Sequence, residues 1–133
     1  MQSQILKKLI YKRFCVRFTA THEWVKKIGN NKAQIGISDH AKHELGEVVY
    51  VDLAVKKEGD EVNAQEEICN LESVKAAAPV YTPISGKLVK KNDDALKGIN
   101  AAPESSGWLW EIEIKDESEF KNLMTREQYN KSI

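Results

Sequence analysis

Trp108, Trp110, Ile112 and Ile114 alternate with Leu109, Glu111, Glu113 and Lys115. A period of two predicts a strand with one buried face. Residues 22–28 and 34–37 read as two further strands joined by a turn at Gly29, Asn30 and Asn31, residue types that accept a positive φ. Ser38 is placed to cap a short helix that runs to Leu45 and stops at Gly46. Residues 48–53 are β-branched and aromatic and predict a strand. Gly59 centres a turn, residues 67–73 form another strand, and residues 80–82 and 87–90 flank a tight turn at 84–86. Past residue 115 the period lengthens. Asp116 or Ser118 can cap a helical turn, Phe120, Leu123 and Met124 share a face, and Thr125 with Gln128 has the spacing of a capping box. Short strands broken by regular turns predict a mainly β domain, either a sandwich or a barrel.

Residues 55–62 resemble residues 89–96 at an offset of 34 positions (Val-Lys-Lys-Glu-Gly-Asp-Glu-Val against Val-Lys-Lys-Asn-Asp-Asp-Ala-Leu). If the two halves are related by a two-fold, the intervening residues 67–86 lie near its axis and a hairpin there projects into solvent. Within that stretch stands Lys75, followed by three alanines and Pro79 and preceded by Glu72 and Ser73, which can hold a turn. A lysine at an exposed turn, with small neighbours and a flexible stem, is accessible to a modifying enzyme.

Composition changes the picture in one respect. The 133 residues carry 20 Lys plus Arg and 20 Asp plus Glu, a net charge of zero. Length and composition fit one ordinary domain, and two cysteines exclude a disulfide-stapled scaffold or a four-cysteine zinc site. Zero net charge and the absence of a long apolar run argue against nucleic-acid and membrane partners, and a monomer is expected. The zero is a sum of opposites. Lys7, Lys8, Lys12, Arg13 and Arg17 give the first eighteen residues +5, with no acid before Glu23, which leaves −5 for the remainder. Leu6, Leu9, Ile10 and Phe14 fall on one face of a helix. A basic, acid-free, amphipathic start has the pattern of a mitochondrial-type transit peptide. The expected organisation is therefore a leader over residues 1–18, a domain over 19–133, and a location in a mitochondrial matrix or derived organelle.

Glu72, Ser73, Val74, Lys75 and Ala76 resemble the lipoylation site of the H proteins of the glycine cleavage system. The likeness extends through His22-Glu23-Trp24-Val25, residues 36–41, the strand at 45–53, residues 83–86 and Gly107-Trp108-Leu109, about residues 19–130 in all. It implies a lipoyl-type barrel-sandwich hybrid of short antiparallel strands, with a short helix after the first hairpin and a C-terminal helical segment. It also implies a non-catalytic carrier with lipoate in amide linkage on Lys75. The implied partners are a glycine decarboxylase (P protein), an aminomethyltransferase (T protein), a dihydrolipoyl dehydrogenase (L protein) and lipoyl-attaching enzymes. By position, Glu23 and His43 would line a cleft that receives the loaded arm. Biotinyl domains usually set their lysine between methionines, and 2-oxoacid dehydrogenase lipoyl domains usually place Asp before it; here Val74 and Ala76 flank Lys75. One departure stands out. Pro79 occupies the position, four residues after the lysine, where the family commonly has Asp. Its loss motivates an alternative role, a relay that donates lipoate to other apoproteins.

A third class, a small enzyme, would have to use His22, His40, His43 or Cys69. His40 and His43 are spaced i, i+3 and would need further ligands to hold a metal. Cys69 lies in a strand beside Ile68 and reads as a packed apolar residue. No metal site, nucleophile triad or phosphate loop is expected.

Overall fold

The computed structural model describes residues 15–133. Nine strands form two antiparallel sheets. β1 (Val16–Phe18), β2 (Glu23–Gly29), β3 (Lys32–Ile37), β9 (Trp110–Ile114), β8 (Gly86–Lys91) and β5 (Glu61–Val62) make a six-stranded sheet in that order. β4 (Val48–Asp52), β6 (Glu67–Ser73) and β7 (Ala77–Tyr81) make a three-stranded sheet. The arrangement is the expected mainly β barrel-sandwich, with helices α1 (Asp39–Leu45) and α2 (Ala95–Ala101) between strands and α3 (Glu117–Lys121) and α4 (Arg126–Ser132) at the C-terminus.

The alternation in β9 produces what it predicts. Trp110, Ile112 and Ile114 are buried while Glu113 is exposed. β9 runs between β3 and β8, with Ile35 opposite Trp110 and Leu88 opposite Ile112. Ile68, Leu71 and Val80 of the smaller sheet close the same core. The Trp110 indole N–H donates to the Ile68 carbonyl at 2.8 Å, so one side chain both fills the core and ties the sheets. A second, smaller core joins Phe18, Trp24 and Tyr129, with Phe18 and Tyr129 stacked at 4.5 Å.

Caps and turns follow their local chemistry. The Ser38 hydroxyl accepts from Ala41 N–H at the start of α1, and Gly46 ends it at φ +77°. Thr125 and Gln128 form the reciprocal capping box of α4. Gly29, Asn30 and Asn31 all take positive φ in the β2–β3 turn.

Three features depart from expectation. Most of the supposed leader, residues 1–14, lies outside the described residues. Its last three residues, however, are β1, where Arg17 pairs with Val25 and the Phe18 side chain is fully buried, so the folded unit begins before residue 19. The apparent repeat is not a structural one. Residues 55–60 are turns leading into β5, whereas residues 89–96 are the end of β8, a turn and the start of α2. Helix α2 has no periodic signal, contains Gly98 and lacks a side-chain N-cap bond. Tertiary contacts hold it instead. The Asn100 side chain accepts from Val48 N–H at 3.0 Å and donates to Val48 O at 2.8 Å, and the Gly98 Cα lies so close to Ser106 O that a Cβ would stand 2.1 Å from it.

Candidate functional site

Lys75 lies at the tip of the β6–β7 hairpin, exposed, as expected. The turn is built by one hydroxyl. Ser73 Oγ accepts from the backbone N–H of Lys75 and of Ala76, both at 3.1 Å, and donates to Ala76 O at 3.2 Å. The Ser73 N–H donates to the same carbonyl at 2.8 Å and closes the hairpin. Serine suits this place because it is short and can both accept and donate. The flanking alanines add no bulk that would shield Nζ.

The hairpin leans on the end of α1. Val74 N–H donates to Glu47 O at 3.2 Å, which fixes the tip against the α1–β4 connection. The lysine stem crosses Gly46, so that a Cβ there would be 3.6 Å from Lys75 Cε. Gly46 is favoured by its positive φ, while a Cβ there would meet the stem at ordinary van der Waals distance. Lys75 joins none of the ion pairs among the described residues. An amine with a clear approach and no bound carboxylate is the chemical requirement for acylation, so the site fits a lipoyl amide.

Glu23 is 3% exposed. Its Oε1 accepts from the Thr19 and Thr21 hydroxyls at 2.5 Å each, and Oε2 accepts from Tyr81 N–H at 3.2 Å. Three donors compensate a buried carboxylate that joins none of the ion pairs among the described residues. His43 is exposed on the last turn of α1. Neither residue hydrogen-bonds or ion-pairs with Lys75 among the described residues; Tyr81, which Glu23 holds, is six positions along the chain from Lys75, on the order of 20 Å when extended, whereas His43 is three residues before Gly46, which the Lys75 stem crosses.

Sequence reasoning missed a long-range polar chain beside Glu23. Tyr129 Oη lies 2.7 Å from His22 Nδ1 and 2.7 Å from Ser38 Oγ, and the His22 and His40 rings are 4.8 Å apart. Burial is the main cause that pushes the Tyr129 phenol above its ordinary value, with Glu104 and Glu23 adding to it. Partners 107 and 91 residues apart leave no local signal. Among the described residues, no group of three or more His, Cys, Asp or Glu side chains is placed to hold a metal ion. Burial, with Asp52 and Glu67 adding to it, pushes the Cys69 thiol up to about 12, so it stays protonated at neutral pH.

A two-sheet β domain with an exposed lysine on a pinned hairpin has the architecture of a carrier domain. The sequence model of the glycine cleavage H-protein family matches residues 16–133, and the chain belongs to that family. A glycine cleavage system H protein of Thermotoga maritima is 47% identical over 116 residues, 85% of this chain and 91% of that protein. One from Aliivibrio salmonicida is 42% identical over 121 residues, covering 89% and 94%. The crystal structure of a glycine cleavage system H protein from Mycobacterium marinum superposes with a TM-score of 0.76 at 27% identity, covering 88% of this chain and 94% of that one.

These comparisons correct the expected address. The relatives are proteins of bacteria, which have no mitochondria. The mitochondrial location is therefore overturned, and these relatives give the transit-peptide reading no support. A basic amphipathic stretch is a compositional pattern that many segments share, and its last residues here belong to the sheet.

Proposed function

We propose that this H protein carries lipoate in amide linkage on Lys75 and shuttles between the P, T and L proteins. The observation that carries the reading is the Ser73-pinned hairpin, which presents Lys75 Nζ on a chain of this family. When bound, the lipoyl group supplies a dithiol–disulfide couple and a sulfur that accepts the aminomethyl group of glycine. The protein's own share is positional, and it adds no catalytic group. The hairpin fixes the origin of an arm on the order of 14 Å. Gly46 underlies the stem, and Glu23 holds the edge of β7 through Tyr81 N–H. We assign the cleft role of Glu23 to this positioning of β7, and that of His43 to its exposed place on the last turn of α1. Acylation removes the charge of Lys75 and takes residues 19–133 from −5 to −6. The acid excess of residues 19–133, set apart from the basic residues before position 19, steers that part of the surface to cationic patches on its partners without tight binding, which suits transient docking.

Intact-mass measurement of protein isolated from lipoate-replete cells should show one lipoyl adduct that Lys75→Arg removes. Reconstitution with P protein should then support exchange of labelled bicarbonate into glycine. An unmodified Lys75 would falsify the carrier reading. A lipoylated protein that supports no exchange but donates its lipoyl group to other apoproteins would instead make it a relay. That alternative draws on Pro79, which is exposed on β7 and offers no carboxylate to a loaded arm.

A further inference from the structure

β4 reads as a continuous apolar strand, Val48-Val49-Tyr50-Val51, yet two consecutive members face solvent. Val49 is 50% and Tyr50 is 52% exposed. The cause is a β-bulge. Val48 pairs with Ser73 and Tyr50 with Glu72, so Val49 is an extra residue with no partner on β6. A bulge redirects side chains locally, and it is found beside functional sites. This one lies opposite the two residues that lead into the Lys75 turn. Val74, at the tip, is 67% exposed. Three of the seven large apolar side chains exposed among the described residues thus stand on the Lys75 turn and on the strand paired with the residues that lead into it. Glu47 and Glu72 border them, both exposed, and Glu72 is the cross-strand neighbour of Tyr50. Glu44 stands one turn back on α1, offset by the half-buried Lys42.

A partner that reads the tip of a long arm can work at a distance from the hairpin. An enzyme that builds the amide cannot, because it must bring its acyl carbon to Lys75 Nζ, and so it must lie against the hairpin's shoulders. It must also choose this lysine from all the others on the surface. Apolar area at the centre and acidic groups at the rim supply that choice, and they define the partner's chemistry: an apolar contact surrounded by Lys or Arg. We propose that Val49, Tyr50 and Val74, rimmed by Glu47 and Glu72, are the docking surface for the lipoyl-attaching enzyme. In the step so docked, Nζ loses a proton and its lone pair attacks the carbonyl carbon of an activated acyl donor. The C–N bond forms, the bond to the leaving group breaks, the leaving group keeps that electron pair, and a second proton goes to base.

This proposal rests on Lys75 being the lipoylated residue, and the test separates the two. The unmodified full chain and its Val49→Ser, Tyr50→Ser and Val74→Ser variants would be incubated with a purified lipoyl-attaching ligase, lipoic acid and Mg-ATP, and acylation followed by intact mass. Each single variant should raise KM severalfold and the triple variant at least tenfold, with Glu47→Gln/Glu72→Gln flattening the salt dependence of kcat/KM. N-hydroxysuccinimidyl acetate should label Lys75 equally in all variants, which shows the amine itself unaltered. Thermal midpoints should match wild type because the three positions are exposed, and Val74→Ser, in the turn, serves alone if the strand variants unfold. Equal ligase kinetics in all proteins would overturn the docking surface but leave the lipoyl reading standing. A wild-type chain that the ligase leaves unmodified would overturn both.

Discussion

The hairpin at Lys75 and the polar knot around Glu23 both depend on hydroxyl groups, but they are built to different ends. At the hairpin one hydroxyl, Ser73, holds a turn of its own neighbours, and each bond that this hydroxyl makes spans three residues or fewer. Around Glu23 the bonds reach from Thr19 to Tyr81, and beside it from Ser38 to Tyr129. The first is exposed, so its bonds compete with water and contribute little to global stability. The second is buried, so each lost partner strands a polar group. Chemistry is thereby placed where the fold can spare it.

Four measurements press on that contrast. The largest effect should come from Lys75→Arg, which keeps the charge but removes the acylation site. Lipoyl incorporation and glycine–bicarbonate exchange should fall to background, with the denaturation midpoint unchanged. A large loss of stability would show that the hairpin is not separable from the core. Next, Glu23→Ala should cost about 3 kcal/mol in urea denaturation, because it leaves the Thr19 and Thr21 hydroxyls and Tyr81 N–H without their acceptor. A cost below about 1 kcal/mol would mean that water replaces the carboxylate and that the knot is not dry.

Tyr129→Phe removes the oxygen shared by His22 and Ser38 and should cost about 1–2 kcal/mol. The sign of its pH dependence follows from the raised phenol. The folded state holds this proton more tightly than the unfolded chain, so the stabilisation is complete below the ordinary tyrosine range near 10 and is lost as pH climbs through the folded value. Ultraviolet titration should show one tyrosine ionising after the others, and Tyr129→Phe should delete that late step. The smallest effect should be Ser73→Ala, about 1 kcal/mol or less, since the backbone N–H groups it frees are solvated. Its signature should be local, as faster amide exchange at Lys75 and Ala76 with the exchange of β9 unaffected.

Much of this was legible in the sequence, and the reason is range. Period-two alternation in β9, Ser38 before α1, the Thr125–Gln128 box and the Gly29–Asn31 turn are written within a few residues, and the fold reproduces them. Lys75 was legible for the same reason, because its turn is made by its immediate neighbours. The elements that escaped depend on distant groups. Helix α2 exists because Asn100 finds Val48 and Gly98 fits under Ser106, neither of which propensity can register. The bulge at Val49 is a mismatch between two strands and is invisible in either alone. Glu23 was legible as a notable position, but its environment was not.

The smaller sheet has two outer margins, and each is blocked at particular residues. On β4 the Asn100 amide engages the N–H and the C=O of Val48 in the way a neighbouring strand would. On β7 the outward N–H of Tyr81 is spoken for by Glu23, and two residues earlier Pro79 has no N–H to offer. At these positions the sheet edges are hindered from strand addition to a second copy of the chain. Seen from this margin, the proline in place of an acid is a safeguard against self-association as much as a lost ligand.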